Sequence, residues 1–257
     1  MDKEEIIYEV LGKVAWLTIN RENKHNALTP QMIELLLTGF EKAEHDNDVR
    51  VVCITGSGEK AFCSGADIGN SIGTRDSEPI QNYVKLLKKM RYFSKPIVAR
   101  VNGNCMGGGI GLMLSCDIIY AHKDVKFATP EVKIGVFPMI ISLLMLSDLK
   151  SKKALEMIYT ARKYSAIEAE EMGLITEFYN SVQELDKAVN ETLLSIAGHA
   201  PYAISVGRKA LAISADMEYE EAIDYLCEEL GILLKSEDAA EGLKAFLEKR
   251  QPVWKNK

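Results

Sequence analysis

The chain has 257 residues, of which 47% are hydrophobic and 26% are charged, and its net charge at pH 7 is −6. This length and composition are typical of one large globular domain, with room for a small appendage. The acidic balance argues against a nucleic-acid or membrane-surface partner, and no run of Lys and Arg interleaves with aromatic residues as a single-strand binder requires.

The five cysteines form no C-x-x-C pair, so the sequence predicts neither a disulfide framework nor a metal site. Thiols in apolar stretches are typical of a reducing compartment. The first ten residues, MDKEEIIYEV, lack the apolar core of a secretory signal. The longest apolar run, 134–146, is too short to span a membrane and contains Pro138. We therefore expect a cytoplasmic protein without a bound metal.

The N-terminal part of the chain predicts a hairpin, a helix and a buried strand. Two apolar runs, 6–11 and 14–19, form the hairpin. Thr29 is a suitable N-cap and Pro30 suits the first helical position, and apolar residues then recur at helical spacing to about residue 45. The β-branched run 49–55 is typical of a buried strand.

The middle of the chain predicts alternating helices and strands. Lys95-Pro96 ends the first of these helices, and Pro130 bends an otherwise extended segment. The predicted elements, in order, are a helix at about 80–93, strands at 97–101 and 118–122, an extended segment at 127–135, an apolar segment at 138–149, helices at 152–159 and 165–173, and a strand at 174–178.

From residue 182 onward the pattern predicts helices alone, at about 182–199, 201–214, 219–234 and 236–250. Strands followed by helices only indicate an α/β core that carries a helical appendage. We place the core at 1–198 and the helical C-terminal region at 199–257.

A glycine-rich turn is the most informative stretch. The strand 97–101 leads to Gly107, Gly108 and Gly109 and then to an apolar segment that predicts a helix. Backbone N–H groups at such a turn are free to meet an anion, and glycine lets a ligand approach closely. Three interpretations are open: a phosphate site, close packing, or an oxyanion hole. A phosphate loop needs a Gly-Lys-Ser/Thr ending or a third spaced glycine, and both are missing. An oxyanion hole needs a second donor, which 64–66 could supply.

Six segments, in order and over nearly the whole chain, resemble the crotonase family, the enoyl-CoA hydratase/isomerase superfamily. They are NRENKHNAL (20–28), KAFCSGADI (60–68), KPIVARVNGNCMGGGIGLMLSCDI (95–118), FATPEVKIGVFP (127–138), SAIEAEEMGLI (165–175) and EGLKAFLEKRQPVW (241–254). The resemblance implies an α/β crotonase-like spiral of ββα units, whose C-terminal helices mediate trimerisation, with trimers often paired as hexamers. It also implies an acyl-CoA thioester substrate and no separate cofactor.

By the same resemblance, the backbone N–H groups of Ala66 and Gly108 bind the thioester oxygen, which becomes an enolate oxyanion during reaction. The resemblance also implies three sets of coenzyme A contacts. The backbone of Ser64, Gly65, Asp67 and Ile68 meets the adenine and pantetheine side, and Lys24 and Lys60 lie near the phosphates. Phe246 and Lys249 reach the coenzyme A bound to a neighbouring subunit. The carboxylate of Asp67 is expected to cap a turn. For the lysines and Phe246, the alternatives are solvated lysines and a core phenylalanine.

The sequence departs from the family at one catalytic position. Hydratases of the family have two glutamates, but here Gly111 stands at the first position and Glu131 remains at the second. Adding water needs a base and an acid, whereas one carboxylate suffices to move a proton between carbons. We therefore expect the protein to isomerise a 3-enoyl thioester with Glu131 as the proton carrier. The alternative for this residue is an exposed loop glutamate. Alternatives are hydration despite Gly111, decarboxylation, thioester hydrolysis, and a non-catalytic acyl-CoA-binding protein.

A second departure follows Gly135. Many hydratases have a glycine-rich turn after the proline at this point, whereas this chain has the bulky apolar run 137–141. This run is expected to reshape the acyl pocket. At helical spacing, Met139, Ile140 and Leu143 are expected to lie in the core.

Overall fold

The computed structural model describes residues 4–66 and 78–257. In these ranges the strands form a six-stranded sheet of order β1-β2-β3-β5-β7-β10 and a four-stranded sheet of order β4-β6-β8-β9. The strands are β1 Ile6–Leu11, β2 Val14–Ile19, β3 Val51–Gly56, β4 Ala61–Cys63, β5 Ile97–Val101, β6 Asn104–Met106, β7 Ile118–His122, β8 Lys126–Ala128, β9 Tyr164–Ser165 and β10 Glu177–Tyr179.

The helices follow the predicted order closely. They are α1 Pro30–His45, α2 Glu78–Arg91, α3 Gly108–Leu114, α4 Met139–Asp148, α5 Ser151–Thr160, α6 Ala166–Glu171, α7 Val182–Gly198, α8 Pro201–Ser214, α9 Tyr219–Leu233 and α10 Glu237–Glu248, with short 3-10 helices at Glu22–Lys24 and Pro130–Ile134. Thr29 caps α1 as predicted, because its Oγ1 accepts a hydrogen bond from the Met32 N–H at 3.1 Å.

Successive turns of the chain divide their strands between the two sheets. β3, β5 and β7 lie side by side and parallel in the larger sheet, while β4, β6 and β8 do the same in the smaller one. A helix follows β4 and β6 before the next turn begins. This is the spiral of ββα units expected from the sequence.

The central strands of the larger sheet are buried on both faces. Along β2, Ala15 and Leu17 belong to the main core, whereas Val14 and Trp16 belong to a second core against α7. Since successive side chains of a strand point to opposite faces, a continuous apolar run such as VAWLTI is what this position requires.

An arginine joins the C-terminal helices to this core. Arg208 of α8 donates to the Asp117 carboxylate at 2.9 Å, to the Met90 carbonyl at 2.9 Å and to the Phe93 carbonyl. Asp117 in turn accepts from the Ile97 N–H at 2.7 Å, at the start of β5. The helical region therefore packs against the end of α2 and the strand that leads to the glycine turn. A domain boundary after residue 198 stays a prediction.

The structure corrects two predicted segments. Residues 127–135 are not extended throughout: after β8 the chain forms the 3-10 helix Pro130–Ile134. Pro130 suits a first helical position, and Gly135 ends the helix with a left-handed φ of 79°. The last strand begins at Glu177 instead of 174. The Leu174 N–H donates to the Ala169 carbonyl at 2.8 Å, so residues before the strand close the end of α6.

The core prediction for α4 is also wrong at two residues. Met139 and Leu143 are each 72% exposed, while Ile141 and Met145 of the same helix are buried. The helix is apolar on nearly all sides, and such a pattern does not tell which face the rest of the chain covers.

Candidate functional site

The glycine turn lies between β6 and α3. Gly107 has φ 52° and ψ −126°, a conformation that side chains disfavour, and its N–H donates to the Ala128 carbonyl at 2.9 Å. A Cβ on Gly107 would stand 3.0 Å from Glu131 Oε1. Glycine is therefore needed here both for the turn and for the close approach of the glutamate.

The structure brings the two predicted oxyanion donors together. Gly65 has φ 93°, and a Cβ on it would stand 2.9 Å from the Gly108 nitrogen. A Cβ on Gly108 would stand 3.5 Å from the Ala66 nitrogen. Among residues 4–66 and 78–257, no acceptor receives a hydrogen bond from the N–H of Ala66 or Gly108. Two adjacent free N–H groups are what an oxyanion needs.

Glu131 is held against this turn by its 3-10 helix. Thr129, just before the helix, is fully buried and donates to the Met157 carbonyl at 3.2 Å. Burial raises the pKa of the Glu131 carboxyl, and its own backbone N–H only partly offsets this. Its Oε2 is buried and, within the described part of the chain, has no hydrogen-bond partner. The exposed-loop alternative for Glu131 is therefore wrong, and an unpaired buried carboxylate oxygen calls for a functional explanation.

Side chains from two other helices occupy the space beside Gly111. A Cβ on Gly111 would stand 2.4 Å from Ile141 Cγ2 of α4 and 2.5 Å from the Tyr83 hydroxyl of α2. Both distances are well inside van der Waals contact. A carboxylate at 111 would fit beside Glu131 only if the Ile141 and Tyr83 side chains moved. Ile141, the last residue of the apolar run 137–141, thus lies against Gly111; an influence of this run on an acyl pocket stays a prediction.

The segment with Ser64, Gly65 and Ala66 lies along the loop that carries Lys24. The Ser64 N–H donates to the His25 carbonyl at 3.1 Å, and the Leu28 N–H donates to the Gly65 carbonyl at 2.8 Å. Lys24 and Lys60 are both exposed, as required either for phosphate contacts or for solvated lysines. Lys60 also lines a cavity of about 370 Å³ together with His25, Asn104 and His122. Asp67 and Ile68 lie outside the described residues.

Phe246 and Lys249 lie at the end of α10. Phe246 is 80% exposed, so the core-phenylalanine alternative is wrong. Lys249 is the C-cap of α10 and has a left-handed φ of 53°. Their contact with a ligand of a neighbouring subunit stays a prediction.

Tyr83 is the residue near the site that sequence reasoning missed. It lies on α2, outside the segments that resemble the family, and only the folded chain places its hydroxyl 2.5 Å from the Gly108 carbonyl oxygen. Metal-binding potential is not evident: the described residues contain no group of three His, Cys, Asp or Glu side chains that could hold an ion. Nor is any described helix both long and apolar enough to cross a membrane.

The fold and the glycine turn with its facing glutamate define an enzyme of the crotonase type. The family model described as enoyl-CoA hydratase/isomerase matches residues 9–257, and the chain belongs to this family.

Known relatives and solved structures agree with this assignment. The chain is 32% identical to the short-chain-enoyl-CoA hydratase of Clostridium acetobutylicum, over 98% of this chain and 97% of that protein. It is 31% identical to the (E)-benzylidenesuccinyl-CoA hydratase of Thauera aromatica, over 97% and 98%. The crystal structure of an enoyl-CoA hydratase from Bacillus anthracis superposes with a TM-score of 0.93 at 27% identity, covering 99% of this chain and 100% of that one.

Proposed function

We propose that this protein is an enoyl-CoA isomerase that moves the double bond of a 3-enoyl thioester to the 2-position. The observation that carries the proposal is the placement of one carboxylate, Glu131, against the Gly107 turn, with a buried and unpaired Oε2. The family and its relatives, which are named for CoA-thioester reactions, support an acyl-CoA substrate.

The proposed reaction needs one proton carrier and one oxyanion site. The Glu131 carboxylate removes a proton from C2 of the 3-enoyl thioester, and the electron pair moves onto the carbonyl oxygen as an enolate. The N–H groups of Ala66 and Gly108 stabilise that oxygen, each by roughly 3–4 kcal/mol as in other oxyanion holes. Protonated Glu131 then returns the proton to C4, and the double bond lies between C2 and C3.

Burial of Glu131 suits this role. Its raised pKa makes the carboxylate a stronger base than an exposed glutamate. Its unpaired oxygen gains a partner when a substrate proton comes within reach. A purely structural carboxylate would instead be paired, because leaving a buried charge unpaired is costly.

Hydration is the competing function, since several relatives are named hydratases. Hydration by a pair of carboxylates needs a second acid or base beside the substrate. At Gly111 the space for that group is occupied by Tyr83 and Ile141. This packing supports isomerisation over hydration.

The proposal is tested by incubation with 2-enoyl, 3-enoyl and malonyl-type CoA esters, followed by mass spectrometry and ultraviolet absorbance. We expect 3-enoyl-CoA to become 2-enoyl-CoA without a change of mass. Gain of water, loss of carbon dioxide, release of free CoA, or binding without turnover would each select one of the alternatives and refute isomerisation as the main activity.

Replacement of Glu131 tests the named base. Glu131→Gln keeps the size of the side chain but cannot accept the proton, so we expect turnover of 3-enoyl-CoA to fall by at least about 10²-fold. Glu191→Gln, at an exposed glutamate of α7, is the matched control and should retain wild-type turnover. Wild-type turnover in Glu131→Gln would rule out Glu131 as the proton carrier.

The remaining contacts belong to the same proposal. Coenzyme A enters as part of the substrate, and the reaction uses no resident cofactor or metal. Lys24 and Lys60 are proposed to meet its phosphates. Exposed apolar residues of α9 and α10, including Ile223, Leu230 and Phe246, support assembly of the chain into a trimer or hexamer. A cytoplasmic location stays a prediction.

A further inference from the structure

The Tyr83 hydroxyl makes an unusual contact with the backbone of the glycine turn. It donates to the Gly108 carbonyl oxygen at 2.5 Å, and it stands 3.7 Å from the point that a Cβ on Gly108 would occupy. The donor comes from α2, a helix remote in sequence from the turn. The contact therefore joins the proposed oxyanion donor to a second element of the fold.

A run of three glycines needs such contacts. Glycine has no side chain to be held by packing, and its backbone has the greatest conformational freedom. Gly107 is fixed through its N–H, which donates to Ala128, and Gly109 packs so closely on Cys63 that a Cβ would stand 2.4 Å from the Cys63 carbonyl oxygen. The carbonyl of Gly108 is held by Tyr83. The Gly108 N–H shares its planar peptide group with the Gly107 carbonyl, which accepts from the Ile110 N–H at 2.9 Å. Tyr83 holds the next peptide group, so the Gly108 Cα is fixed from both sides and its N–H keeps one direction.

We propose that Tyr83 is a positioning residue of the oxyanion hole: by holding the Gly108 carbonyl, its hydroxyl limits rotation about the Gly108 Cα and so helps to keep the N–H of the preceding peptide group in one direction. The hydroxyl occupies the space that a side chain at 111 would otherwise take. The inference rests on the proposed function insofar as Gly108 is an oxyanion donor. The Tyr83 contact then requires glycine at 111, because a Cβ there would stand only 2.5 Å from the Tyr83 hydroxyl and would displace it.

The electrostatic surroundings keep this hydroxyl a donor. Burial raises the pKa of Tyr83 well above its usual range, and the nearby thiols of Cys63 and Cys105 and the Glu131 carboxylate raise it further. The phenol therefore stays neutral throughout the pH range in which Glu131 acts. It offers a proton to the Gly108 carbonyl without adding a second charge to the site.

The test measures oxyanion stabilisation directly. A 3-oxoacyl-CoA, acetoacetyl-CoA, forms an enolate that absorbs in the ultraviolet, so the enolate fraction of the bound ligand reports on the hole without any turnover. In Tyr83→Phe we expect this fraction to fall about tenfold or more, with the Kd of free CoA within about twofold of wild type. We expect kcat for 3-enoyl-CoA to fall at least as far, with little change in KM. Tyr92→Phe, an exposed tyrosine just after α2, should match wild type.

Gly111→Ala perturbs the Tyr83 hydroxyl without changing Tyr83 itself. It should lower the enolate fraction in the wild-type background but cause little further decrease in Tyr83→Phe, because both changes act on one contact. Should Tyr83→Phe fail to fold, Gly111→Ala alone decides: an unchanged enolate fraction would refute the proposal.

The outcomes separate the two proposals. A wild-type enolate fraction in Tyr83→Phe, with isomerisation intact, would refute the role of Tyr83 and leave the proposed function standing. A wild type that enolises the probe but does not isomerise 3-enoyl-CoA would refute the proposed function, while loss of enolate in Tyr83→Phe would still support the positioning role. Absence of enolate in the wild type, or parallel loss of enolate and CoA affinity in Tyr83→Phe, would overturn the positioning role.

Discussion

Adding one methyl group at position 111 should destabilise the protein, although alanine is the better helix former. Gly111 lies inside α3, where replacing glycine by alanine is ordinarily worth about 1 kcal/mol. Here the new Cβ would stand 2.4 Å from Ile141 Cγ2 and 2.5 Å from the Tyr83 hydroxyl, so each neighbour must move by roughly 1 Å to reach ordinary contact.

The expected free energy follows from these contacts. Overpacking of a filled interior costs about 1–3 kcal/mol, and displacing the Tyr83 hydroxyl from the Gly108 carbonyl costs a further ~0.5–1.5 kcal/mol. After the gain in helix propensity, Gly111→Ala should lower the free energy of unfolding by about 0.5–3.5 kcal/mol. Gly207→Ala is the matched control, because Gly207 lies inside α8 and its Cβ would meet nothing within 4 Å. It should stabilise by up to about 1 kcal/mol.

Urea unfolding of both variants and the wild type, at one fixed protein concentration, measures the difference. Equal stability of the two variants, or a more stable Gly111→Ala, would show that position 111 has room. Such a result would remove the physical reason for treating the site as restricted to one carboxylate.

Two further predictions concern the proton carrier and the assembly. Because burial raises the pKa of Glu131, kcat/KM should decline on the acid side through a pKa above that of an ordinary glutamate, and an acid limb at the usual glutamate pKa would contradict this. The same raised pKa means that the free energy of unfolding falls as pH rises through the pKa of folded Glu131. At pH 8, Glu131→Gln should therefore unfold at a higher urea concentration than the wild type. Light scattering should give a trimer or hexamer, since α9 buries none of its residues within the chain and Phe246 is 80% exposed; a monomer would contradict the proposed assembly.

Local signals predicted much of the fold. The hairpin 6–11 and 14–19 and the strands 97–101 and 118–122 match the structure residue for residue, because each is an apolar run between turn residues. The strands of the smaller sheet are two or three residues long, too short to show a periodicity, and they exist through pairing with distant partners. The sequence predicts only β8 in part, as the start of the extended segment 127–135, and it places Ser165 of β9 at the start of a helix.

The candidate site shows the same division. The proposed base Glu131 and the proposed backbone donors at 66 and 108 lie in short segments that resemble the family, so the sequence alone points to them. Tyr83 and Ile141 act on Gly111 from α2 and α4, and no local pattern marks them. The exposed faces at Met139 and Leu143 were missed for a related reason, because a pattern shows which residues are apolar but not what covers them.

The packing at Gly111 bears on how the missing carboxylate should be understood. A site that had merely lost a glutamate side chain would have a gap beside α3. Here the space is filled by an aliphatic carbon and by a hydroxyl that is hydrogen-bonded to the turn. Restoring a glutamate at 111 would therefore require two neighbours to move and would break the contact that holds Gly108. In the proposed function, the preference for one carboxylate and the proposed anchoring of Gly108 therefore rest on the same contact, that of the Tyr83 hydroxyl with α3.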